Sequence, residues 1–129
     1  MTTKDKERAE SQAKAQLESI VEMVKALEED KEIDGQDPRE RITEDALEVS
    51  VQSDWHTPGE EKPPTNYLIL LCTGGPAVRI TGELGRYQEP ETAELEYQDW
   101  FTPWQRYCAT TTEEDKALLT YARQFYFGS

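Results

Sequence analysis

The sequence predicts an α+β fold, with helices packed on a four-stranded antiparallel meander. Three observations predict it. Apolar residues recur at helical spacing near both ends of the chain, they switch to a two-residue period between residues 49 and 97, and the strand-like runs are joined by short connections. A length of 129 residues suits one such domain, and no internal repeat divides it, so the expectation is a single domain over 1–129.

The first element is a long helix over about 4–30. Ala13, Leu17, Ile20, Val24 and Leu27 recur at spacings of four and three, with Val21 beside them, which places them on one stripe. Between Met1 and Ala13 only Ala9 is apolar, so residues 1–12 are expected to fray. The same spacing fits a coiled-coil seam, but for only about two heptads, so packing on the protein's own core is favoured over a dimer seam. Residues 28–37 read as an acidic linker in which Gly35 stops the helix. Asp37-Pro38 then reads as an N-cap and a first-turn proline, opening a short helix over 38–47 whose apolar side is Ile42, Ala46 and Leu47.

Val49, Val51 and Trp55 alternate with polar residues, the pattern of a half-buried strand. A proline-rich loop over 57–65 follows. Residues 67–72 are apolar on both faces and belong in the middle of the sheet. Gly74-Gly75 supplies a tight hairpin turn. Val78, Ile80 and Leu84, then Ala93, Leu95 and Tyr97, give the third and fourth strands. The last element is a helix over 112–126, with Leu118, Leu119, Ala122, Phe125 and Tyr126 on one face. A capping box precedes it, either Thr111 with Glu114 or Thr112 with Asp115.

Little in this chain suggests catalysis. His56, the single histidine, sits in Trp55-His56-Thr57-Pro58-Gly59 at a strand end, where a surface or capping role is the ordinary one. Cys72 ends the most apolar strand as a small core residue, and Cys108 has only Arg106 near it in sequence to activate a thiol. Two cysteines 36 residues apart and one histidine give no zinc spacing, and Asp34-Gly35-Gln36-Asp37 lacks the ligand alternation of a calcium loop. Thr73-Gly74-Gly75-Pro76 leads into a strand rather than a helix, so it is a turn and not a phosphate cradle. The expectation is therefore no enzyme, no cofactor and no metal. The longest apolar run is six residues, too short to span a membrane, and the polar N-terminus has no apolar core of a secretion signal. Two cysteines suit a reducing cytosol.

Charge is the dominant feature. The chain holds 27 Asp and Glu against 14 Lys and Arg, a formal net charge of −13, which argues against direct binding to nucleic acid. Residues 1–27 are neutral, residues 62–129 carry −3, and residues 28–61 carry thirteen acids against Lys31, Arg39 and Arg41, a net −10. A solvated, solubilising surface is the plain reading. The functional one is a lure for a basic protein surface, with carboxylates standing in for nucleic-acid phosphates. The residues that would carry it are Glu28, Glu29, Asp30, Glu32, Asp34, Asp37, Glu40, Glu44, Asp45 and Glu48. A second feature is the run Tyr97-Gln98-Asp99-Trp100-Phe101-Thr102-Pro103-Trp104-Gln105-Arg106-Tyr107, with five aromatics in eleven residues. Its bland role is a plug for the sheet. Its functional role is a set of partner anchors, Trp100, Phe101, Trp104 and Tyr107.

The stretch over 47–127, above all Leu70-Leu71-Cys72-Thr73-Gly74-Gly75-Pro76-Ala77-Val78-Arg79-Ile80 and Leu95-Glu96-Tyr97-Gln98-Asp99-Trp100-Phe101-Thr102-Pro103-Trp104, resembles small acidic proteins carried by bacterial phages and mobile elements. The resemblance brings no site residues. What it implies is an anti-defence setting, anti-CRISPR or antirestriction, in the cytoplasm of a bacterial host. The resulting expectation is a non-enzymatic inhibitor that blocks a nucleic-acid-processing host complex through its acidic face, acting as monomer or homodimer. The alternative is a structural or accessory module that dimerises through the N-terminal stripe or the sheet.

Overall fold

The computed structural model describes residues 3–33, 35–73, 76–99, 103–107, 110–125 and 127. Among them lie three α-helices, α1 (Thr3–Glu29), α2 (Pro38–Asp45) and α3 (Thr112–Ala122), and one antiparallel sheet. The strands are β1 (Glu48–Ser53), β2 (Pro64–Cys72), β3 (Ala77–Glu83), β4 (Glu94–Gln98) and β5 (Gln105–Arg106), in the spatial order β1-β2-β3-β4-β5. The α+β meander of the sequence reading is thus present, with a fifth strand added. That strand is only two residues long and pairs with β4 through Glu96 and Tyr97, too short to announce itself by periodicity.

The long helix forms from its apolar stripe. Ala13, Leu17, Ile20 and Val24 are all at most 4% exposed, buried against the protein's own core. A coiled-coil seam on this stripe is therefore excluded in the folded chain. Helix is laid down from Thr3, and Ala9, 1% exposed, packs its turn against the core. α1 packs on β3, β4, α2 and α3, while α3 also packs on β4.

Register explains which side chains the helices cover. Ile69, Ile80 and Leu95 lie abreast on β2, β3 and β4, and Val78 lies beside Tyr97. All five are buried under the helical layer. Tyr67 lies opposite Gly82, where an added Cβ would overlap the Thr92 carbonyl oxygen and sit 2.7 Å from the tyrosine ring. Glycine there lets Tyr67 lie flat and donate its hydroxyl to Thr92 O at 2.6 Å. The alternate residues Arg79, Thr81, Glu94 and Glu96 point to the opposite face, against which no described helix packs.

At its start α2 has Asp37 as N-cap, accepting from the Arg39 N–H at 2.9 Å, with Pro38 in the first turn. It ends at Asp45, two residues before the expected limit. Of the two possible capping boxes, α3 uses Thr111 with Glu114: the Glu114 N–H donates to Thr111 Oγ1 at 3.1 Å and the Thr111 N–H to Glu114 Oε1 at 2.9 Å. α3 ends at Ala122 instead of continuing to 126. The expected Gly74-Gly75 turn and Tyr126 lie outside the described residues.

Two expectations for the first strand are corrected. Trp55 is not part of it: β1 stops at Ser53, and Trp55 is 98% exposed on the loop beyond. Val49 and Val51 do lie on the helix-side face, opposite Ile69 and Tyr67, but they are 39% and 47% exposed, because β1 is an edge strand beyond the reach of the helices.

Candidate acidic docking surface

The acidic residues follow one connected path: the end of α1, a tight turn, α2, and the start of β1. α1 closes with a Schellman-type cap, in which the Lys31 N–H donates to Ala26 O at 2.9 Å and the Asp30 N–H to Leu27 O at 3.3 Å. The left-handed position of that cap, where glycine or asparagine is usual, is filled by Asp30 at φ 53°. Glu28 and Glu29 stand in the last turn, against the negative end of the helix dipole, and no basic residue is in that turn to offset them. The nearest compensation is a loose pair between Lys31 Nζ and Glu29 Oε2 at 3.4 Å, exposed on both sides.

The turn is closed by reciprocal backbone hydrogen bonds between Ile33 and Gln36, both 2.9 Å. Gln36 Nε2 donates to Glu44 Oε2 at 2.8 Å, which ties the turn to α2. Glu28, Glu29, Asp30, Glu32, Asp37, Glu40, Glu44 and Glu48 are all exposed, and Asp34 lies outside the described residues.

Asp45 has a different role. It is half-buried, and its Oδ2 accepts from Tyr121 Oη at 2.7 Å, joining the end of α2 to a fully buried tyrosine of α3. Burial and the adjacent carboxylate together push the Tyr121 phenol far above its ordinary range, so it stays protonated and donates. Asp45 is thus committed to the fold, whatever else it contributes. The partners are 76 residues apart in sequence, so no local signal could have found this bond.

The structure also divides the −10 segment. β1 carries the chain away from Glu48, and six strand steps put Asp54 about 20 Å off. Asp54, Glu60 and Glu61 therefore belong to a loop at the far end of β1, near Trp55. That loop is closed on itself by Lys62 Nζ donating to Trp55 O at 3.3 Å and the Glu60 N–H to Thr57 O at 3.0 Å. The acidic surface is the 28–48 path and not the whole of 28–61.

The aromatic candidates separate too. Tyr107 is 9% exposed and stands edge-on to Tyr97, with ring centroids 6.4 Å apart, which makes it a core residue. Trp104 is half-buried on the open face of the sheet, with the Arg79 guanidinium 4.0 Å above its ring. Arg79 also pairs with Glu96, Nε to Oε1 at 2.7 Å, beside a shallow depression of about 500 Å³. Trp100 and Phe101 lie outside the described residues. Among the described residues the most exposed aromatics are Trp55 at 98% and Tyr87 at 88%, the latter in a turn at φ 62°, and neither belongs to the aromatic run over 97–107. The available signal for Trp55 was the proline and glycine of Trp55-His56-Thr57-Pro58-Gly59, which end the strand before it.

His56 is exposed, with Nδ1 3.2 Å from Thr57 O. Burial pushes the Cys72 thiol up, the opposite of what an activated nucleophile requires. Among the described residues no group of three or more His, Cys, Asp and Glu side chains is placed to hold a metal ion, and no helix is long and apolar enough to cross a membrane. No family model, no curated protein and no solved structure matches the chain.

Proposed function

We propose that this chain is a non-enzymatic, protein-binding inhibitor that offers the 28–48 acidic path to a basic surface of a nucleic-acid-processing complex. The setting that fits is the cytoplasm of a bacterial host carrying a phage or mobile element, the setting suggested by the motifs around Leu70–Ile80 and Leu95–Trp104.

The observation that carries this reading is the end of α1. Glu28, Glu29 and Asp30 occupy positions where the helix dipole disfavours a negative charge, each at about 0.3–1 kcal/mol. A chain that needed acids only for solubility has many positions without that cost. Asp37 and Glu40, at the favourable end of α2, serve their helix; the acids at the end of α1 work against theirs, and a cationic partner is what turns that cost into binding energy.

Charge reversal tests the proposal. Glu40→Lys/Glu44→Lys/Glu48→Lys is expected to lose the partner captured from host lysate, while keeping the far-ultraviolet circular dichroism of the parent. Asp54→Lys/Glu60→Lys/Glu61→Lys makes the same change in net charge at the far end of β1 and is expected to keep capture. Capture by the parent should weaken as salt rises through a few tenths molar, because exposed charges are screened within about 8 Å at physiological ionic strength. Equal loss in both triple variants would reduce the effect to net charge, and equal retention would remove the acidic path from the interface.

A further inference from the structure

β1 is the outermost strand on its side of the sheet, six residues long. The Leu47 N–H donates to Leu70 O at 2.8 Å, so the Leu70 carbonyl faces β1, where its register partner is Glu48. The Leu84 N–H donates to Thr65 O at 2.8 Å, so Thr65, Tyr67 and Ile69 turn their amides to β3 while Asn66, Leu68 and Leu70 turn theirs to β1. Their register partners Gln52, Ser50 and Glu48 therefore face inward, and the amides of Val49, Val51 and Ser53 point outward, away from the sheet. The helix-side face of the same segment shows Leu47, Val49 and Val51, exposed by 60%, 39% and 47%. An edge with an apolar row and outward amides is a template for another strand, and proteins that must avoid this guard the edge with lysine, proline or brevity. β5, at the other side, has such guards: it is two residues long, one of them Arg106, and Pro103 precedes it. β1 contains neither lysine nor proline.

We infer that β1 is a self-pairing edge, on which two copies of the chain join antiparallel about a two-fold axis at Ser50 and continue the sheet from five strands to ten. The register follows from the side chains. Antiparallel partners share a face, so facing residues must be an even number apart. With the axis at Ser50, Val49 of each copy faces Val51 of the other, twice, and Glu48 faces Gln52. The two Glu48 carboxylates then stand four residues apart along the strands, about 14 Å, beyond the screening length of about 8 Å. Moving the axis to Val51 would instead bring Glu48 opposite Asp54. Moving it to Val49 shortens the pairing, because α2 ends at Asp45. In the Ser50 register the chain after Ser53, with Trp55, runs alongside Ala46 and Leu47 of the second copy, which gives the exposed indole an apolar neighbour.

The occupant is a second copy because the edge is complementary to itself in side-chain size, polarity and charge spacing. Two chains of −13 repel at a distance. Pairing through an apolar row should therefore strengthen with salt, the opposite of acidic docking.

Sedimentation of the full chain across a concentration series tests this. The expected result is a monomer–dimer equilibrium whose dissociation constant falls about tenfold between about 0.05 and 0.5 M salt. Val51→Pro removes an outward N–H, at a position where an edge strand tolerates proline. It should fold with the parent's thermal midpoint measured in dilute, monomeric solution, and sediment as a monomer. Val49→Lys/Val51→Lys, which leaves the backbone edge intact, should also be monomeric. Glu40→Lys/Glu44→Lys, which tests the acidic docking separately, should keep or tighten the dimer. A parent that stays monomeric to about 0.5 mM, a dimer that survives both edge variants, one that weakens with salt, or one split by the Glu40 and Glu44 reversal would each overturn the proposal.

Discussion

Arg79 and Ile80 are neighbours on β3, yet they live in different environments. Ile80 is 0% exposed, beneath the helical layer between Ile69 and Leu95. Arg79 lies on the opposite face, its guanidinium stacked on Trp104 and paired with Glu96. The first face obtains its stability from apolar area removed from water; the second consists of polar and charged groups that stay near solvent, where each pair contributes little. The covered face holds the molecule together, and the open face and the edge are where it can change without unfolding.

That contrast can be tested by measurement, and the largest effect belongs to the covered face. Ile80→Ala should lower the unfolding free energy by about 2–5 kcal/mol in denaturant titration, through lost transfer energy and the cavity left behind. A loss below about 1 kcal/mol would mean that the helices do not seal this face.

Alkaline pH gives the next effect. Burial pushes the phenols of Tyr67 and Tyr121 above their ordinary value near 10, and the Asp45 carboxylate pushes Tyr121 further. The folded state thus prefers the protonated phenols. Their contribution is fully present below pH of about 10 and declines above it, by up to about 1.4 kcal/mol per pH unit for each group. Unfolding measured between about pH 9 and 11 should show that slope, and Tyr121→Phe should make it shallower. An unchanged slope in Tyr121→Phe would mean that Tyr121 ionises in the folded protein as easily as in the unfolded chain.

The smallest effect belongs to the open face. Arg79→Ala removes an ion pair whose side chains are 23% and 20% exposed, together with the cover over Trp104, and should cost about 1 kcal/mol or less. The same variant should shift the tryptophan emission as the ring loses its guanidinium. A cost near that of Ile80→Ala would erase the distinction between the faces.

Much of this was legible in the chain itself. The 4-3 stripe of α1, the Asp37-Pro38 start of α2, the capping residues of α3 and the two-sided apolar run of β2 each carry their signal within a few residues, and the fold uses all of them. The ten acidic candidates were legible as a cluster, but not their sorting. Asp45 became an acceptor for Tyr121 only because α3 packs back on the end of α2. Asp54, Glu60 and Glu61 left the cluster only because β1 is extended where a helix would have kept them close. Trp104 and Tyr107 sat in one aromatic run, and β5 sent one to the open face and the other to the core.

By itself the sequence determined what depends on local spacing and composition: three helices, the order of the principal strands, the caps, and an acidic excess concentrated after residue 27. Tertiary structure alone decided which strand lies at the edge, which face the helices cover, and therefore which apolar residues stay in water. Val49 and Val51 have the same alternation as Ile80 and Leu95, yet they remain exposed. Periodicity states that a side chain has a face, but burial depends on what packs against that face, and the helices reach only as far as the strands beside them.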